Sequence, residues 1–254
     1  MNRSASLPRQ FALDLTQAPK PSLHNFLPSG NEELLHAIKD SIKLWSLPSQ
    51  SNGQSLNQRW FYWWGKSGSG RTHLLQAIIH QAKQSGILSI GLQPDQPNHW
   101  IDVENKLDKE NREAAIAIAV DDVDQLDSSL QANLFRILNK VHAAPHLFVY
   151  LSGNNPPAHL QLREDLRTRL GWGLIFELHP LTDSEKIEAL SRAAKDRGLT
   201  LSTEVLPWLT HHFYRDMPSL MALLDALDAY SLETKRSITL PLVRELLGIS
   251  GTKQ

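Results

Sequence analysis

The sequence predicts an α/β protein: a parallel five-stranded sheet between helices, followed by a small domain built of helices alone. Three observations carry this reading. From Arg59 to about position 179, short apolar runs alternate with amphipathic stretches, the pattern of strands joined by crossover helices. A glycine-rich loop, GKSGSGRT at 65–72, lies between the first of those runs and a helical stretch. Beyond Pro180 the strand-like runs cease and only helical spacing remains. Along the chain, 1–20 reads as a flexible N-terminal segment, 21–180 as the α/β domain and 181–254 as the helical domain.

Taken in order, residues 1–9 are polar, and QFALDL at 10–15 is a brief apolar island before the proline-punctuated APKPSLHNFLP. Residues 31–47 place Leu34, Leu35, Ile38, Ile42 and Trp45 on one side of a helix. PSQSNGQSLNQ at 48–58 has loop composition. WFYWW at 60–64 is an aromatic strand, and HLLQAIIHQAKQSG at 73–86 is a helix closed by glycine. ILSIGL (87–92), AAIAIAVDD (114–122), HLFVYLS (146–152) and GLIFELH (173–179) supply the other strands, with a helix over 130–142. Helical spacing returns over 183–197, 204–212, 217–233 and 240–247. Leu220, Leu223, Leu224 and Leu227 form a packing stripe there.

Composition narrows the function. Lys plus Arg number 26 against 27 for Asp plus Glu, so the basic excess expected of a protein that coats DNA is missing. With no cysteine, disulfides and cysteine-held metals are excluded. No apolar run approaches the ~20 residues that span a bilayer, and MNRSASLPRQ has no apolar signal core. A cytoplasmic protein is expected. The 11 histidines are scattered, and His211 and His212 are adjacent rather than spaced along one helix face, so no histidine is assigned to a metal.

The loop at 65–72 follows the phosphate-binding pattern G-x-x-x-x-G-K-[ST] with one change. Gly65 and Gly70 hold the glycine positions, Gly68 lies between them, and Thr72 supplies the magnesium-facing hydroxyl. Glycines let backbone N–H groups curl around an anion, and the helix N-terminus behind them adds positive potential. Arg71 replaces the lysine. A planar guanidinium is not a compact ammonium, so ADP or ATP is expected to bind with altered geometry that favours a diphosphate. A plain Gly/Ser turn also matches the pattern; the strand before it and the helix after it favour the phosphate loop.

AAIAIAVDDVDQL at 114–126 is an apolar strand ending in Asp121 and Asp122. After a phosphate loop, the first acid holds Mg²⁺ and the next can orient the attacking water. Asp121 suits the first role. Asp122 has a shorter arm than a glutamate, and an acidic turn capping the next helix would read the same way. Asn154, in SGNN at the end of the fourth strand, is the candidate polar sensor, although Asn-Asn-Pro-Pro also suits any turn.

LREDLRTRLGWGLIFELHPLTDSEK at 162–186 completes a pattern that runs from QFALDL through GKSGSGRTHLL and VDDVDQL to LLDALDAYSLETKRSITLPLVRELL. Over essentially its whole length the chain resembles the Hda and DnaA branch of the AAA+ ATPases. The resemblance implies an AAA+ sheet with a helical lid. It also implies that Arg169 is an arginine finger acting in trans on a neighbour's nucleotide; a structural salt bridge is the plainer alternative. Gln10, Phe11, Leu13 and Leu15 would then anchor a peptide that binds the DNA-loaded sliding clamp, the beta subunit of DNA polymerase III. An edge strand packed on its own domain is the plainer alternative there. The partner implied is DnaA, whose bound ATP this protein would cause to be hydrolysed, preventing re-initiation of chromosomal replication. A homo-oligomer is compatible with this.

One departure stands out. The family carries an arginine within M-R-x-L at the start of the third lid helix, where this chain has Met217-Pro218-Ser219-Leu220, with Arg215 nearby. Together with Arg71, Pro218 weighs against a robust intrinsic ATPase. The competing reading is an autonomous DnaA-like or DNA-remodelling ATPase. The lack of a DNA-binding domain after the lid counts against it.

Overall fold

The computed structural model describes residues 20–46, 55–109, 114–212, 217–234 and 237–247. The described residues fall into two compact units divided between Pro180 and Leu181.

The first unit is organised by five strands, β1 Trp60–Trp64, β2 Leu88–Leu92, β3 Ile116–Val120, β4 Leu147–Gly153 and β5 Leu174–Glu177. They form one sheet in the order β2-β3-β4-β1-β5, with every pairing parallel. This is the expected parallel sheet. β1 lies between β4 and β5, and its first four residues are fully buried, which is why it reads as an unbroken aromatic run.

Alternation along the strands separates two cores. Trp60 and Tyr62 join Ile116, Ile118 and Val120 with Leu134, Ile137 and Leu138 on one face. Phe61 and Trp63 join Leu34, Ile38, Leu74, Leu75 and Ile78 on the other. On that second face β3 contributes only Ala117 and Ala119, small enough for the helix after β1 to lie close to the sheet.

Three of the flanking helices were legible: α1 Glu32–Lys43 and α2 Arg71–Gln84, then α4 Ser128–Ala143 after the short α3 Val103–Lys109. α1 runs on into a single tight turn that buries Trp45. The Ser41 and Tyr150 hydroxyls are hydrogen-bonded at 2.8 Å, tying α1 to β4. α4 starts on an Asp127 carboxylate that accepts the Leu130 N–H at 2.9 Å. α3 and α5 Glu164–Leu170 were not anticipated. Each has seven residues and only two apolar anchors, Val103 and Leu107 or Leu166 and Leu170, too short a stripe to stand out from polar loop.

The second unit holds α6 Asp183–Asp196, α7 Val205–His212, α8 Met217–Thr234 and α9 Leu240–Leu246. Thr182 and Glu185 form a reciprocal cap on α6. Leu190, Val205, Leu209, Leu220, Leu223, Leu227, Ile238 and Val243 make a separate core. Arg197 donates from Nε and Nη2 to one Asp225 oxygen, at 2.9 and 2.6 Å, joining the end of α6 to α8. Pro218 falls in the first turn of α8, where a missing N–H costs nothing; Arg215 lies outside the described residues. Among the described residues, no helix is long and apolar enough to cross a membrane.

Candidate functional site

The loop at 65–72 is shaped by its neighbours. The Gly65 N–H donates to the Gly153 carbonyl at 3.3 Å, and the Leu178 N–H to that of Trp64 at 2.6 Å. The loop therefore leaves β1 wedged between the ends of β4 and β5. A Cβ at Gly65 would lie 2.4 Å from the Leu178 carbonyl oxygen, so only glycine fits there. Gly68 and Gly70 have φ of +80° and +96°, left-handed values that glycine adopts without strain. Gly70 also carries the edge of Phe26, whose ring a Cβ would meet at 3.0 Å.

α2 begins at Arg71, two residues before the sequence reading placed it, and no side chain caps it. Its first N–H groups and its dipole thus face the loop. Two further polar atoms there lack partners among the described residues. The Ser69 hydroxyl is buried without a hydrogen bond, and so is Arg71 Nη1. Buried orphan donors are uncommon and demand a reason; a phosphate oxygen would satisfy both. The loop fits such a group. Thr72 is exposed at the first turn of α2.

Asp121 is buried at the end of β3. Its Oδ1 accepts from the Ser152 hydroxyl and, at 3.0 Å, from the Asp122 N–H. With one oxygen held this way, its second oxygen and the Thr72 hydroxyl are the groups that would hold Mg²⁺.

Asp122 turns back sharply. Its φ is +45°, a left-handed value that aspartate tolerates better than most residues. That turn places its Oδ1 3.1 Å from Arg71 Nη2. The contact is an ion pair whose angle is too poor for a hydrogen bond, since the same oxygen is buried with no hydrogen-bond partner. Burial holds the Asp122 carboxyl above the usual carboxylate range; Asp121 adds to this and Arg71 opposes it.

Asn154 is held from a direction the sequence did not reveal. Its backbone N–H donates to Asp124 Oδ1 at 2.9 Å, and its side-chain amide donates to Asp124 Oδ2. Asp124 and Ser152 were missed as site residues. Both sit inside quoted motifs, VDDVDQL and SGNN, but only the fold brings their strand ends together.

Arg169, near the end of α5, is half-buried. Its guanidinium carbon lies 3.9 Å from the Phe135 ring centre and 4.9 Å from that of Trp172. Nε donates to Asn139 Oδ1 at 2.8 Å and Nη1 to the Asp165 carbonyl at 3.2 Å. Among the described residues no carboxylate oxygen lies within 4 Å of it, although Arg169 is near enough to help Arg163 hold the Asp165 carboxyl below the usual carboxylate range, and none of its contacts is with 65–72, Asp121, Asp122 or Asn154. Gln10, Phe11, Leu13 and Leu15 lie outside the described residues.

A parallel sheet of this strand order, with a phosphate loop after β1, paired acids after β3 and a helical unit following, defines a P-loop module of the AAA+ type. Residues 183–247 match the family model described as "Hda, lid domain". An uncharacterized protein of Haemophilus influenzae is 30% identical over 246 residues, covering 95% of this chain and 99% of that protein. The chain belongs to the Hda-like, DnaA-related AAA+ proteins.

Solved structures share the fold. Domain III of the Thermotoga maritima replication initiation protein DnaA superposes with a TM-score of 0.66 at 21% identity, covering 91% of this chain and 97% of that one. AMPPCP-bound DnaA from Aquifex aeolicus gives 0.61 at 22% identity, covering 85% and 70%. The Thermotoga maritima RuvB Holliday junction branch migration motor gives 0.63 at 17% identity, covering 91% and 72%.

Proposed function

We propose that this protein is a regulatory AAA+ module that acts on DnaA: it docks on the DNA-loaded sliding clamp and promotes hydrolysis of DnaA-bound ATP, preventing re-initiation of replication. Arg169 is the group that reaches the partner's nucleotide. The observation that carries this reading is the state of that guanidinium: half-buried, flanked by two aromatic rings, and with no carboxylate oxygen within 4 Å among the described residues. Arg59 shows the structural alternative, a guanidinium whose terminal nitrogens are spent on backbone carbonyls; Arg169 instead lies over two rings and makes fewer such bonds. A cation kept aligned by rings and a neutral amide retains its charge for a phosphate brought by another molecule.

The protein's own loop binds ADP or ATP. Ser69, Arg71 and the uncapped start of α2 supply donors to phosphate, and Thr72 with Asp121 would hold Mg²⁺. A DnaA homologue of the same fold holds the nucleotide analogue AMPPCP, which supports the same use of the loop here. Intrinsic hydrolysis is weak, because Asp122 is committed to Arg71 and the lid carries Pro218 in place of an arginine.

The test is Arg169→Ala in an assay of DnaA-bound ATP hydrolysis with clamp-loaded DNA. An arginine finger contributes roughly 10³-fold or more to phosphoryl transfer, so stimulation should fall by about that factor while retention on the clamp is unchanged. Full stimulation by the variant would remove Arg169 from the mechanism.

A further inference from the structure

We propose that Asp122 sets the affinity of the phosphate loop by competing with phosphate for Arg71, and that this, rather than activation of water, is its role. The proposal rests on the reading of 65–72 as a nucleotide-binding loop.

The geometry supports competition. Arg71 occupies the position from which the loop's cation meets phosphate, and its Nη2 is already 3.1 Å from Asp122 Oδ1. Its side chain is 11% exposed and that of Asp122 29%, so solvent screens the pair only in part. The contact is nonetheless incomplete. It fails hydrogen-bond geometry at the Asp122 oxygen, and Arg71 Nη1 and the Ser69 hydroxyl remain buried with no partner. The carboxylate offers Arg71 a charge but no aligned hydrogen bond; a phosphate with three oxygens can offer both. Asp122 reaches Arg71 only through the left-handed backbone at φ +45°, a conformation kept at some cost in a non-glycine residue.

A general base needs its carboxylate free to accept a proton from water. Here the carboxylate faces the loop's own cation. Binding phosphate therefore requires the pair to open, and the apparent affinity is lowered by the fraction of molecules in which it is closed. A lysine in this position would present one compact charge. The forked guanidinium can hold the acid through Nη2 while leaving Nη1 for an incoming oxygen. Displacement can thus proceed without first baring a buried charge.

The test combines affinity with a double-mutant cycle. Asp122→Asn keeps a residue that tolerates the left-handed turn and removes the charge. In EDTA, so that no metal enters, calorimetry should show ADP binding to Asp122→Asn about tenfold tighter than to the parent protein. Removing any negative charge near phosphate could tighten binding, so the cycle is needed as well. Thermal melting without nucleotide is compared for Asp122→Asn, Arg71→Gln and the double variant. Non-additive effects that become additive at saturating ADP in the parent and Asp122→Asn backgrounds support the competing pair. Unchanged or weaker ADP binding by Asp122→Asn overturns it, as does tighter binding with an additive cycle, the signature of simple repulsion. If neither protein binds ADP or pyrophosphate at millimolar concentration, the phosphate-loop reading itself falls.

Discussion

Arg59 is a buried cation that no carboxylate meets among the described residues. It is 5% exposed, and its guanidinium donates to the carbonyls of Val141, Ala144 at 3.2 Å, Leu147 at 3.2 Å and His142 at 3.3 Å. Three of these belong to the end of α4 and the residue after it, where carbonyls have no helical partner. The side chain enters just before β1 and caps α4 with a charge that suits its negative end. Arg59→Met should cost about 3 kcal/mol in urea unfolding, because several buried carbonyls lose their donor together. Arg59→Lys should recover part of this, a point charge reaching fewer acceptors than a fork. A loss under about 1 kcal/mol for Arg59→Met would show that water replaces the guanidinium. Nothing in the sequence around Arg59 signals this role, since its partners are more than 80 positions away. The Arg71–Asp122 pair was hidden for a similar reason. Both residues stand out as motif members, but their meeting depends on a backbone turn at Asp122 that no residue pattern announces.

At the scale of elements, the phosphate loop shows what glycine does in this fold. A Cβ at Gly65 would lie 2.4 Å from a backbone oxygen, whereas one at Gly91 in β2 would meet nothing within 4 Å. Gly65→Ala should therefore lower ADP affinity at least about tenfold and destabilise the α/β unit by roughly 1–3 kcal/mol, the usual cost of forcing atoms into a packed site. Gly91→Ala is the control. It should change stability by under about 1 kcal/mol and leave ADP binding intact. Equal behaviour of the two would mean that the loop relaxes freely around an added methyl group. The long elements were legible because burial imposes a repeat on them: WFYWW and IAIAV are strands enclosed on both faces, and α4 presents Leu130, Leu134, Ile137, Leu138 and Val141 at helical intervals. α5 was not, because Glu164, Asp165, Arg167 and Arg169 crowd a single short helix whose order comes from packing Leu166 and Leu170 into the core. Arg169 was marked out by family pattern alone. Its ring and amide partners on α4 come from 30 or more positions upstream, beyond the reach of local periodicity.

For the whole molecule, charge and partner choice belong to one argument. With 26 basic and 27 acidic side chains, the chain has no overall basic excess to favour DNA through counterion release. On the proposed function, recruitment to DNA then falls to the clamp that encircles it. On that reading, QFALDL at 10–15 is the segment that would dock on it, a short sequence offering a few apolar anchors. Replacing Gln10 and Leu13 together by Ala separates its two readings. If the peptide serves the clamp, the variant should lose retention on clamp-loaded DNA and, with it, most of the stimulation of DnaA-bound ATP hydrolysis, while melting within about 1 °C of the parent and binding ADP equally well. If the peptide is instead an edge strand on its own domain, melting should fall by several degrees as buried Leu13 is truncated, and retention should fall only in proportion to unfolding. Pairing this variant with Arg169→Ala then orders the two steps. Recruitment supplies effective concentration and the guanidinium supplies chemistry, so free clamp-independent DnaA at high protein concentration should still respond to the Gln10 and Leu13 variant but not to Arg169→Ala.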